Sequence, residues 1–203
     1  MKKRVALVKR KTKETDISAK LNIDGSGKAK INTGIGILDH MLELFAYWGH
    51  FGLEVKVNKA DFQIDIHHAN EDVAIVLGQA FKKALGDKKG IKRIGFASAP
   101  MEEVTATVTV DISGRGSFKL NIGQGAFTYP SALEGYEFKY VEHFLDTFSK
   151  QVGVNLNIKM ENPSPDLHAT LEPIFKALGI ALDLATQIDP RRKGIPSTKG
   201  IID

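Results

Sequence analysis

Cysteine is absent from this 203-residue chain. That excludes disulfides and thiolate-ligated metal sites together, and it suits a reducing compartment, so a cytoplasmic location is expected. Long apolar runs are also missing: none approaches the ~20 residues of a membrane span, so no membrane partner is expected. The opening MKKRVALVKRKTKETD is basic but has no sustained apolar stretch, which argues against a secretory leader. It reads instead as a strand in which Val5 and Leu7 alternate with polar residues. Linkers rich in Ser or Pro are absent. What is present, 42% hydrophobic and 26% charged residues, is ordinary for a globular protein. The length permits one sizeable core or two small halves packed together.

The net charge is +4, and much of the basic excess sits at the two ends, from Arg4 to Lys13 and from Arg191 to Lys199. These runs have no interleaved aromatic residues and no nucleic-acid motif, so no nucleic-acid partner is expected. A solvated basic surface or a site for a small anion accounts for them.

An internal repeat organises the chain. DHMLELF at 39–45 matches EHFLDTF at 142–148, FGLEVKV at 51–57 matches VGVNLNI at 152–158, and HHANEDVAIVLGQAF from 67 matches HATLEPIFKALGIAL from 168. The offset stays near about one hundred residues throughout. Each half therefore reads as strands, helix, strand, helix. Val73, Val76, Leu77, Ala80, Phe81 and Ala84 recur at helical spacing, as do their counterparts from Ile174 to Ala185. Residues 104–112 and 117–122 alternate like strands. The expected fold is α+β: one domain over 1–203 built from two pseudo-symmetric repeats, about 1–95 and 96–203, with sheets packed against helices.

Five of the six histidines fall within the repeated segments; His50 falls outside them and reads as a surface residue. His67 and Glu71, and again His168 and Glu172, stand four apart, so each pair shares one helix face. His68 points about a quarter turn away. His40 and His143 occupy the preceding helix of each half. Imidazoles and carboxylates without sulfur suit Mn, Fe, Co or Zn. Pseudo-symmetry groups His67, Glu71 and His143 around one ion, and His168, Glu172, His40 and His68 around another. Where the first half has His68, the second has Ala169, so seven ligands stand where symmetry requires eight. Asp39 and Glu142, just before the helix histidines, read equally well as partners that orient the imidazoles or as acids favoured near a helix N-terminus. The second-half helix has two alternative starts: Ser164 as its cap with Pro165 following, or a later start that puts Pro173 in the first turn.

Along nearly its whole length the chain resembles the imidazoleglycerol-phosphate dehydratase family. The stretches that carry the resemblance are TGIGILDHML (33–42), HHANED (67–72), ALGDKKGIKRIG (84–95), PMEE (100–103), VDISGR (110–115), VEHF (141–144) and PSTKG (196–200). The resemblance implies dehydration of imidazoleglycerol phosphate to imidazoleacetol phosphate in histidine biosynthesis, by a carbon–oxygen lyase. It implies two Mn ions held by His40, His67, His68, Glu71, His143, His168 and Glu172. It implies a phosphate clamp of Arg93, Arg115, Ser197 and Lys199, and Glu14 as a catalytic acid/base. It also implies a homo-oligomer of 24 subunits with active sites between chains. The departures are Ala169 for a metal-binding His, Asp166 for an Asn, Pro173 for a small helix former, and AYWG at 46–49 where many members have a His before the Gly. They raise the alternative of a metal-binding oligomer with impaired dehydration.

Overall fold

The computed structural model describes residues 3–123 and 130–202. The first half runs β1 (Val5–Lys11), β2 (Asp16–Asn22), β3 (Ala29–Asn32), α1 (Gly36–Trp48), β4 (Gly52–Lys59) and α2 (Ile66–Leu85). The second repeats that order: β5 (Ile94–Met101), β6 (Val104–Asp111), β7 (Ser117–Ile122), α3 (Phe138–Val152), β8 (Asn155–Glu161) and α4 (Leu167–Thr186). Each half forms one four-stranded sheet, with orders β1-β2-β4-β3 and β5-β6-β8-β7. In both, a hairpin pairs antiparallel with the strand after the first helix, and the strand before that helix joins in parallel. The α+β architecture of two like halves is thus the one the repeat foretold.

The alternating patterns explain the strands. In β6, Val104, Ala106, Val108 and Val110 are buried and the intervening threonines face outward. β1 runs opposite to expectation: Val5 and Leu7 are exposed, and Ala6 is the buried residue. Helix α2 lies across β1 and β2, and a methyl group there lets it approach closely. Among the described residues, no helix is long and apolar enough to cross a membrane.

The helices pair across the halves: α1 packs on α4, and α2 on α3. Gly179 marks one crossing, because a Cβ there would lie 2.5 Å from the Phe45 carbonyl oxygen and 2.9 Å from the Gly49 nitrogen. Gly78 marks the other, where a Cβ would lie 2.6 Å from Gln151 Cβ and 3.1 Å from the Phe148 carbonyl oxygen. Since the clash at Gly179 is with fixed backbone, Gly179→Ala is expected to destabilise by about 2 kcal/mol net of the gain in helix propensity. That lowers Tm by roughly 4–8 °C for a chain of this size. Gly78→Ala is expected to destabilise to a similar extent, because Gln151 Cβ moves only with its backbone. Thermal unfolding of both variants checks this, and a Tm unchanged from the unaltered protein would refute the close approach at that crossing.

Helix α4 corrects both expected starts. Its N-cap is Asp166, whose carboxylate accepts from the backbone N–H of His168 and Ala169. Pro173 sits inside the helix, and His168 and Glu172 still share one face. The missing hydrogen bond and ring clash cost ~3 kcal/mol in an isolated helix. Here Pro173 is buried with most of α4, and the packing of a 20-residue helix outweighs that cost.

Candidate active site

The cross-pairing of helices assembles two clusters at the N-terminal ends of α2 and α4. On α2, His67 Nε2 lies 3.7 Å from Glu71 Oε2, and His143 Nε2 of α3 lies 3.9 Å from Glu71 Oε1. On α4, His168 Nε2 lies 3.0 Å from Glu172 Oε2, with His40 Nε2 of α1 at 3.7 Å from the same oxygen. The imidazoles stack loosely in each cluster, His67 on His143 at 4.5 Å and His40 on His168 at 4.9 Å between ring centroids. Parallel pairing explains the meeting: His40 adjoins His168 near one end of the helix pair and Gly49 adjoins Gly179 further along.

In each cluster the donor atoms all lie within 4.8 Å of one another. Donors bound about 2.1 Å from one ion sit roughly 3 Å apart in adjacent positions and roughly 4.2 Å apart in opposite ones. The clusters therefore have the donor types and spacing that a divalent cation requires. His143 Nδ1 is buried with no hydrogen-bond partner among the described residues. Glu172 is additionally held by Lys176 Nζ at 2.5 Å. Burial pushes its carboxyl up, but the hydrogen bonds from Lys176 and His168 outweigh that and hold it below the ordinary range.

His68 joins neither cluster within this chain. Its Nδ1 lies 3.0 Å from Asp61 Oδ2, and this bond raises its pKa. Glu14 completes that third group. Glu14 is exposed on the β1–β2 turn, where Thr12 Oγ1 accepts from the N–H groups of Glu14 and Thr15. The turn is tied to α2 by Asp72, whose carboxylate accepts from the Thr15 hydroxyl and from Arg10. Asp61 and Asp72 were not singled out from sequence; Asp61 lies outside the repeated segments, and Asp72, within one, corresponds to Pro173 in the other. Asp39 accepts from the N–H and hydroxyl of Thr33 and so holds the chain entering α1, and among the described residues it bonds no imidazole. Burial raises the pKa of Glu142. His50 is exposed, apart from both clusters.

The basic residues gather elsewhere. Arg93, at the start of β5, spends three of its five N–H donors inside the chain: Nε and Nη2 on Asp111 at 2.6 and 3.0 Å, and Nη1 on the Pro196 carbonyl at 2.9 Å. It thereby fixes the loop carrying Ser197 and Lys199. Ile112, three residues before Arg115, donates its N–H to the Arg93 carbonyl, which draws the Arg115 loop to the same corner. Arg115 and Lys199 are exposed. The backbone N–H of Arg93 bonds the carbonyl of Ala185, at the C-terminal end of α4. His168 stands at the other end, and 17 residues of helix separate them by ~26 Å. This basic corner and the cluster of His40, His168 and Glu172 thus lie at opposite ends of α4.

The sequence and fold have counterparts among known proteins. The family model described as imidazoleglycerol-phosphate dehydratase matches residues 33–182. The chain is 50% identical over 199 residues to an imidazoleglycerol-phosphate dehydratase of Thermoanaerobacter sp. (strain X514), covering 98% of this chain and 100% of the relative. It is 47% identical over 200 residues to that of Bacillus pumilus (strain SAFR-032), covering 98% and 100%. Among solved structures, imidazoleglycerol-phosphate dehydratase from Staphylococcus aureus superposes with a TM-score of 0.78 at 29% identity, covering 91% of this chain and 99% of that one. The Pyrococcus furiosus enzyme, in complex with (S)-C348, gives 0.76 at 30%, covering 96% and 99%. With its repeat, its two sheets and its full-length match all in agreement, this chain belongs to the imidazoleglycerol-phosphate dehydratase family.

Proposed function

We propose that this chain dehydrates imidazoleglycerol phosphate to imidazoleacetol phosphate in histidine biosynthesis, in the cytoplasm, at a two-Mn site completed between subunits of a 24-subunit assembly. One observation carries the reading: the cluster of His40, His168 and Glu172 lies ~26 Å, measured along α4, from the basic corner at Arg93. A small phosphorylated imidazole cannot reach from one to the other within a single chain. Chains packed so that one brings its corner to another's clusters would make a site of substrate size. His68, directed away from both clusters of its own chain, would then complete the His40, His168 and Glu172 set of a neighbour.

Bound divalent ions would supply Lewis acidity and a template for the imidazole ring. Glu14, beside His68 on its tethered turn, would take the proton from the carbon next to the ring. Once protonated, it would deliver that proton to the departing hydroxyl, which leaves as water. Arg115, Ser197 and Lys199 would hold the phosphate through charge-assisted hydrogen bonds, with Arg93 keeping their loops in place. Remote binding energy of this kind orients the reacting carbon.

Chelation followed by Mn addition tests the reading. Turnover of imidazoleglycerol phosphate is expected to vanish on chelation and return with about two Mn per chain. Turnover that persists without bound metal would refute it. Ala169 favours a second reading, a metal-binding oligomer with impaired dehydration, because the His67, Glu71 and His143 cluster would lack a fourth protein ligand. Ala169→His is then expected to tighten the weaker Mn site by at least about tenfold, since losing even an outer partner costs about 10–100-fold. A calorimetric Mn titration unchanged by this substitution would refute the symmetry behind it.

A further inference from the structure

We infer that Asp61 is a positioning residue that holds His68 in the tautomer protonated on Nδ1, leaving Nε2 as the free ligating atom. The inference rests, for its consequence though not for its geometry, on the reading of His68 as a metal ligand. An ionised carboxylate only accepts hydrogen bonds, so a neutral His68 that meets Asp61 Oδ2 at 3.0 Å through Nδ1 must carry its proton there. The ring's orientation is set by the same bond, because Asp61 lies at the foot of the loop that leads into α2 and is itself only 8% exposed.

Asp61 Oδ1 is buried with no hydrogen-bond partner among the described residues, and the side chain that engages its other oxygen is His68.

The two halves provide an internal control. Aligned without gaps, Asp65 corresponds to Asp166, and both remain N-caps, accepting from the N–H of His67 and His168 respectively. Asp61 corresponds to Asn162, six residues before His168 as Asp61 is six before His67. The imidazole that Asp61 meets, His68, corresponds to Ala169. The half without the second imidazole therefore also lacks the carboxylate, although it keeps the neighbouring aspartate that caps the helix. In this chain the carboxylate and the imidazole it meets stand in the same half, and the other half has neither.

Two measurements on the full-length protein decide the matter. Side-chain nitrogen-15 NMR of the metal-free protein, above the His68 pKa, is expected to show His68 protonated on Nδ1, and Asp61→Asn to shift the tautomer balance toward Nε2–H. His68 protonated on Nε2 in the unaltered protein, or a balance unmoved by the substitution, would overturn the inference. Should Asp61→Asn fail to fold, the measurement on the unaltered protein alone is decisive. Titration with Mn is expected to show Asp61→Asn weakening one of the two sites about 10–100-fold, the usual effect of losing an outer partner of a ligating histidine, and sparing the other. Mn bound at neither site, with the tautomer as expected, would refute the metal reading and leave the positioning role of Asp61 intact.

Discussion

Replacing Glu14 with Gln is expected to lower kcat for imidazoleglycerol phosphate about a hundredfold to ten-thousandfold, the usual contribution of a positioned proton-transfer group. That corresponds to roughly 3–5 kcal/mol of barrier. The backbone of Glu14 is held by Thr12 Oγ1, and its turn is anchored to α2 through Thr15, Arg10 and Asp72. None of these contacts uses the Glu14 carboxylate, so Gln preserves shape and placement and removes only the capacity to take a proton. KM and Mn content are expected to change little. A kcat within threefold of the unaltered protein would remove Glu14 from the proton-transfer step.

Glu172→Gln carries the second large effect, on metal rather than on proton transfer. Glu172 is the carboxylate nearest both imidazoles of its cluster, and it also receives Lys176. Losing its charge removes an anionic donor and leaves the part-buried Lys176 ammonium beside the site. Mn affinity at this cluster is expected to fall by more than about a hundredfold, beyond the 10–100-fold range for an outer partner. The cluster of His67, Glu71 and His143 shares no residue with it and is expected to keep its affinity. Metal content per chain, read beside turnover, checks this. Two Mn per chain at undiminished affinity would exclude Glu172 as a ligand.

Much of this architecture was legible before the structure. Periodicity placed α2 and the strands Val104–Asp111 and Ser117–Ile122 within a residue or so, because each buries one regular face. The repeat exposed the like halves and grouped His67 with Glu71 and His143, and His168 with Glu172, His40 and His68, whereas within one chain His68 stands apart beside Asp61 and Glu14. The start of α4 was not legible. Ser164, Asp166 and Pro173 each carried a local signal, and only the contacts of the folded helix showed that Asp166 caps it and that Pro173 is carried within. Asp61 escaped notice because it meets His68 across a loop and lies outside any repeated motif. Arg93 read as part of a phosphate clamp, whereas the fold shows it committed first to Asp111 and the Pro196 carbonyl.

By itself the amino-acid order determined the periods of its elements, the absence of thiolate from any metal site, and the four-residue spacing that puts His and Glu on one helix face. Those properties are local: they depend on backbone geometry and side-chain chemistry within a few residues. Only the tertiary structure decided that Gly179 and Gly78 bring helices of opposite halves into contact, that His68 turns to Asp61, and that the basic corner stands at the far end of α4 from His40 and His168. A helix's apolar stripe specifies which face is buried, not which helix buries it, and that choice is made by close packing over the whole chain.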